Sequence, residues 1–242
     1  RQFTLVRDVV LPYMWEILND RIENAEKSHC IENFKVAAGL SKENRNGVIF
    51  LDSDLYKWLE AVSYCLSVEK NEELENLADQ AIDLLSQAQK PDGYLNTYYS
   101  VLAPEKRWTN LMEGHELYCA GHLLEAAVAY HLATGKDQLL NVAVRFADLI
   151  ESTFGKNKKR GYPGHSEIEL GLIKLYELTK EQKYLDLAGY FINERGAGEY
   201  LFDEECKQPN HEFIFPEMAS FKADYFQAHM PVREQVCATG HA

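Results

Sequence analysis

The chain has 242 residues, of which 46% are hydrophobic, and it holds only 14 Gly and 7 Pro. That is enough apolar material for one large core in a single domain. A formal net charge of -13 argues against nucleic acid or an anionic membrane surface as a partner, and no run of about 18 apolar residues is present to span a bilayer.

Taken in chain order, the first marked element is Pro12-Tyr13-Met14-Trp15. Val48-Ile49-Phe50-Leu51 is one of two short strand-like runs. Asp52-Ser53-Asp54 then opens a helix, with Trp58 a turn further on and Leu59 to Tyr64 continuing it. An N-cap role explains one of the two aspartates, and the other is left to bond a loop or a ligand. After the polar turn at 68–71, Leu74, Leu77, Ala78 and Ile82 mark one helical face at i, i+3, i+4 and i+8. A long loop over 90–111 follows. It carries a Pro91-Asp92-Gly93 turn, several tyrosines and Trp108, and resembles either a carbohydrate-stacking surface or aromatic glue for the loop itself.

The next helix opens after Gly114-His115, and the apolar stretch Glu125 to Tyr130 lies in it. The turn at 134–137 leads to Leu139, Val142, Ala143 and Ala147, which repeat the earlier spacing. A second long loop, 155–165, ends in Gly161-Tyr162-Pro163-Gly164-His165. Leu170 to Tyr176 and then Tyr184, Leu187, Ala188 and Ile192 give a third pair of helices, joined by a turn at 179–181. A third long loop, 196–230, contains the other strand-like run, Phe213-Ile214-Phe215, and leads toward Ala238-Thr239-Gly240-His241. The chain stops at the start of an element, so the expected domain is the N-terminal portion of a longer barrel, spanning residues 1–242.

The first helix of each pair is apolar round more of its circumference, as an inner helix is. The interval between repeats is not fixed, which favours a closed helical barrel with loop insertions over a solenoid. In a ring of hairpins, alternate connections lie at opposite ends. The long loops, with His115, His165 and His241, therefore gather at one end, where a scaffold places its site. His115, Cys119 and His122 also share one helical stripe. Three such donors suit zinc only if a fourth ligand stands close; otherwise His115 lines a site while the other two pack inside. The five cysteines are odd in number and lack CxxC spacing, and are read as free thiols of a cytoplasmic protein, with the periplasm as the alternative. No phosphate loop, GxSxG or HExxH is present.

Five ordered motifs go further. Asp52-Ser-Asp-Leu-Tyr-Lys-Trp-Leu-Glu-Ala61, Asp92-Gly-Tyr-Leu-Asn-Thr-Tyr98, His115-Glu-Leu-Tyr-Cys-Ala-Gly-His122, Gly161-Tyr-Pro-Gly-His-Ser-Glu-Ile-Glu-Leu170 and Pro231-Val-Arg-Glu-Gln235 together resemble the N-terminal half of glycoside hydrolase family 127. The resemblance spans the chain. It implies an all-α fold, an (α/α)6 barrel that is incomplete here, with only its N-terminal hairpins present and further barrel helices and β-sandwich domains beyond them. It implies a retaining β-L-arabinofuranosidase acting on plant-derived or related glycans. His115, His165 and His241 belong to the sugar pocket on this reading, with Asp52 and Asp54 as further candidate substrate contacts.

The family's nucleophile is a cysteine held on zinc by further cysteines and a glutamate, with another glutamate as acid/base. Zinc is thus expected in the full-length protein, with its ligands outside this chain; no catalytic residue and no metal ligand is expected within it. Met14 stands where a glutamine contact to the sugar is expected, so the exact sugar is open. Three readings compete: this glycosidase, a sugar epimerase or unsaturated uronyl hydrolase on the same barrel type, and a non-catalytic helical scaffold.

Overall fold

The computed structural model describes residues 2–209 and 211–215. His241, Cys237 and the Pro231–Gln235 motif lie outside the described residues. Among those described, the fold is all-α, with one isolated bridge between Phe154 and Lys159 and no strand.

The elements run in chain order as α1 (Gln2–Leu5), a π turn (Val6–Val10) and α2 (Leu11–Leu18), then α3 (Cys30–Ala37), α4 (Asp52–Val68) and α5 (Glu72–Ala88). After them come α6 (Thr97–Val101), a 3-10 turn (Pro104–Lys106), α7 (Glu116–Thr134), α8 (Gln138–Thr153), α9 (Ile168–Thr179), α10 (Gln182–Glu194) and α11 (Leu201–Cys206). The expected pairs α4–α5, α7–α8 and α9–α10 form. Helix α7 packs between α4 and α9 in an inner layer, and α8 packs between α5 and α10 in an outer one. This is an arc of an α/α barrel, whose inner helices run parallel.

Local chemistry explains the boundaries. Asn71 caps α5 by accepting the Leu74 N–H at 3.0 Å, and Glu72, Glu73 and Glu75 place negative charge at its positive end. Helix α7 ends on Gly135 at φ 75°, whose N–H reaches the His131 carbonyl at 2.8 Å. The core runs the length of the hairpins. Trp15 and Trp58 stack at 4.7 Å, and the Trp58 indole N–H donates to the Leu11 carbonyl, tying α2 to α4.

Both strand-like runs are turns or open chain, because their backbone polar groups go to local turn bonds and to side chains. The Val48 carbonyl accepts from Arg45, while the N–H groups of Ile214 and Phe215 donate to Glu113. Exposed apolar side chains remain on the inner helices at Tyr64, Val68 and Leu132. They remain on α1–α2 as well, at Leu5, Val9, Tyr13 and Met14 among others.

Candidate functional site

The site forms at the N-terminal ends of the inner helices. His115 precedes α7 in the left-handed region, at φ 55°. The turn before it is closed by two bonds at 2.9 Å: Gly114 N–H to the Asn110 carbonyl, and Glu113 N–H to the Asn110 side chain. The His115 Nδ1 lies 2.5 Å from the Glu113 carbonyl. A carbonyl only accepts, so Nδ1 carries the proton and Nε2 the lone pair. Burial lowers the imidazole pKa and Lys57 adds to that, against the opposing Glu113 bond, so the neutral form is favoured.

The 155–167 loop brings His165 alongside. The Gly164 N–H donates to the Leu111 carbonyl at 2.9 Å, and a Cβ on Gly164 would collide with the Met112 carbonyl. Only glycine allows the two loops to run this close. Arg195 fixes the loop from behind by donating to the Pro163 carbonyl, and Tyr162 accepts from Leu201. The outcome is a His115–His165 centroid separation of 6.3 Å.

Tyr118, passed over in the sequence, is the hub. Its ring lies 5.5 Å from His115, 4.9 Å from His165 and 4.6 Å from His122. The Lys57 ammonium donates to the Tyr118 hydroxyl at 2.8 Å and to Ser53 Oγ at 3.1 Å. The signal was present, since Tyr118 stands three residues after His115 and four before His122 in one helix. Phe50 flanks His115 at 5.0 Å and Phe215 at 6.1 Å. A neutral imidazole at His115, a second imidazole at His165, a phenol and an ammonium beside apolar rings can bind a polyol in both hydrogen-bonding senses.

The aspartates differ from expectation. Neither caps α4, whose N-cap is Leu51 with no side-chain bond. Asp52 is buried, and its carboxylate takes the Thr97 N–H at 2.7 Å and the Thr97 hydroxyl at 2.5 Å, stapling the aromatic loop to α4. Asp54 is exposed, beside Lys57 in charge if not in contact, and burial raises its carboxyl pKa. The aromatic loop is mostly core. Tyr94 and Trp108 meet edge to face at 5.3 Å, and both bond the buried Glu116, which burial pushes up to about 8. Tyr98 stays partly exposed beside a cleft of about 590 Å³ between this loop and residues 205–214.

The stripe of His115, Cys119 and His122 does not converge. The two imidazoles pack on Tyr118, while the Cys119 thiol donates to the Phe50 carbonyl at 3.7 Å. Burial pushes the thiols of Cys119 and Cys30 well up, which keeps them protonated and unreactive. Cys30, Cys65, Cys119 and Cys206 are free thiols. A different set, Glu60, His122 and Glu125, offers three donor atoms within 4.8 Å of one another. Lys174 already supplies the positive charge there, ion-paired with Glu125 and, at 3.6 Å, with Glu60. No helix among the described residues is long and apolar enough to cross a membrane.

Residues 2–242 match the family model described as "Beta-L-arabinofuranosidase, GH127 catalytic domain". A non-reducing end β-L-arabinofuranosidase of Bifidobacterium longum subsp. longum is 42% identical over 251 residues, covering 96% of this chain and 38% of the relative. A crystal structure of a GH127 β-L-arabinofuranosidase from Geobacillus stearothermophilus T6 superposes with a TM-score of 0.91 at 52% identity, covering 97% of this chain and 37% of that one. A second solved GH127 β-arabinofuranosidase gives a TM-score of 0.77 at 31% identity, over 97% and 34% of the two chains. The chain therefore spans little more than a third of the length of these relatives. The epimerase, uronyl hydrolase and scaffold readings gain nothing from these matches. With its helical hairpins, its loop-borne histidines and this likeness along nearly its whole length, the chain belongs to glycoside hydrolase family 127.

Proposed function

We propose that this chain is the N-terminal portion of the catalytic barrel of a retaining β-L-arabinofuranosidase, and that it supplies the sugar-binding half of the pocket. The observation that carries this reading is the pairing of His115 with His165 around Tyr118 at the loop-bearing end. Neutral His115 accepts a sugar hydroxyl proton at Nε2. Lys57 and Tyr118 donate to sugar oxygens, and Phe50 offers an apolar face. Asp54 reaches the open side, and Asp52 acts through the loop it staples. His241 completes the histidine set on this reading. The printed activities of the relatives point to an L-arabinofuranose unit as the bound sugar.

The thiols of two described cysteines do not fit a zinc thiolate. Those of Cys30 and Cys119 are buried, protonated and spent on the Leu51 and Phe50 carbonyls. Zinc, if the whole enzyme uses it, is held by residues beyond this chain, and no step is assigned to it here. What these residues do is bind and orient the sugar and exclude water from one side of it.

The test is kinetic. In the full-length protein, His165→Ala and His115→Ala should each raise KM for an aryl β-L-arabinofuranoside by about tenfold or more, with little change in melting temperature. Wild-type kinetics in both variants would overturn the reading. A large fall in melting temperature would instead assign the histidines to structure.

A further inference from the structure

One helical turn beyond Tyr118 lies a second polar cluster that sugar contact does not require. It gathers Glu60 from α4, His122 and Glu125 from α7, Glu167 at the N-cap of α9, and Lys174 within α9. His122 Nδ1 lies 3.2 Å from Glu167 Oε1 and 3.9 Å from Glu125 Oε2. Glu125 on α7 and Glu167 at the N-cap of α9 thus approach the same imidazole nitrogen. Two carboxylates set on one nitrogen repel each other, which favours a proton on one of them. Burial and the Glu125 charge push Glu167 up, while Glu167, Lys174 and His122 hold Glu125 down against its own burial. Of the two, Glu167 is the one whose surroundings favour holding the proton.

Glu167 also terminates the loop that carries His165, two residues before it. Its main chain lies directly on α7, where a Cβ on Gly121 would come within 2.7 Å of the Glu167 carbonyl carbon. The loop is thus pinned at Gly164 to the 110–115 turn and at Glu167 to α7, with His165 between the two pins.

We propose that Glu167 is a positioning residue, whose carboxyl group, set against His122 beside Glu125, locks the His165 end of the loop onto α7 and so sets the His115–His165 spacing that grips the sugar. This rests on the sugar-site reading above. The charged and titratable groups that bear on Glu167 are Glu125, Glu60, Lys57, His122 and Lys174, with the Tyr64 phenol bonded to Glu60 at 2.8 Å. Loss of a proton from Glu167 leaves two anions on one imidazole, so the clamp loosens on the alkaline side.

The test compares the full-length wild-type enzyme with E167A, E167Q and H165A on 4-nitrophenyl β-L-arabinofuranoside across pH. E167A should raise KM about tenfold with a smaller change in kcat. E167Q keeps a donor toward Glu125 and an acceptor toward His122, so it should restore KM to within about threefold at neutral pH. The wild type should show a rise in KM on the alkaline side, and E167Q should lose it. Wild-type KM in E167A beside a raised KM in H165A overturns the positioning role alone. Wild-type KM in H165A overturns the sugar-site reading and this proposal with it. If E167A does not fold, the pH profile of E167Q decides, and an unchanged alkaline rise there overturns the proposal.

Discussion

An imidazole whose Nδ1 proton is committed to a carbonyl is an acceptor at its other nitrogen, and this fixes how His115 responds to pH. Its pKa in the folded chain lies below the ordinary 6.5, chiefly through burial. The unfolded chain therefore takes up a proton first as pH falls. The stability held by neutral His115 is complete above about 6.5 and is lost progressively as pH drops below that value. Binding should follow, because protonation turns Nε2 from acceptor to donor. KM should rise on the acid side while the aryl-glycoside leaving group is held constant, and a KM flat from about pH 7 to 5 would sink the assignment. Tyr118 offers a second test. Its bond to Lys57 is solvent-facing, so Tyr118→Phe should cost under about 1 kcal/mol of stability, whereas Tyr118→Ala removes the ring on which three imidazoles pack. The alanine variant should lose far more affinity than the phenylalanine one; equal losses would remove Tyr118 from the hub. His115 and His165 were legible because each ends a long glycine-containing loop at a helix start. The role of Asp52 was not, since its partner Thr97 lies 45 residues away and no local spacing encodes that bond.

At the scale of elements, the hairpins were written in the spacing of Leu74, Ala78 and Ile82 and of its two repeats, because a helix buries one stripe and that stripe has a period. Helix α3 left no such trace. It follows His29 at φ 58° with no side-chain cap, and it is held by packing on α4, α5 and α6 and by long-range bonds such as those between Asn33 and Asn46. The close approach of α7 to α9 was also unreadable from periodicity, although it governs the site. A Cβ on Gly171 would lie 2.7 Å from the Gly121 carbonyl and 2.9 Å from Leu124 Cβ, so the two helices meet backbone to backbone. Gly171→Ala should therefore cost about 1–3 kcal/mol by overpacking, read as a lower midpoint in chemical denaturation. It should also weaken sugar binding, since α9 carries Glu167 and the end of the His165 loop. A variant as stable as wild type would mean that α9 can shift freely, and the site geometry would then owe little to this crossing.

For the whole molecule, the question is whether an arc of three inner helices can hydrolyse a glycoside. Retaining hydrolysis needs an activated nucleophile and a positioned proton donor on either side of the anomeric carbon. The described residues supply binding groups in quantity, and the carboxyl pair they bring together, Glu125 and Glu167, is taken up with His122 and Lys174. The cysteine nearest the histidines, Cys119, is fully buried, donates to the Phe50 carbonyl, and has its thiol pushed up by burial. Two of the raised carboxyls tell the same story, for Glu116 is held by Tyr94 and Trp108, and Glu205, pushed up to about 7, accepts the Leu111 and Met112 N–H groups. Each is a staple for a loop rather than a group facing solvent. Apolar side chains such as Tyr64 and Leu132 stand open on the inner helices, as expected of a barrel seen in part. The 242-residue chain by itself should therefore release no measurable nitrophenol from an aryl β-L-arabinofuranoside under conditions where the full-length protein turns over. Cys119→Ser in the full-length protein should leave kcat within about twofold, since a buried thiol that bonds a carbonyl is replaced by a hydroxyl that can do the same. Turnover by the chain alone at a rate comparable to the whole enzyme, abolished by Cys119→Ser, would place the nucleophile in this arc after all and reverse both the division of labour proposed here and the inert reading of that thiol.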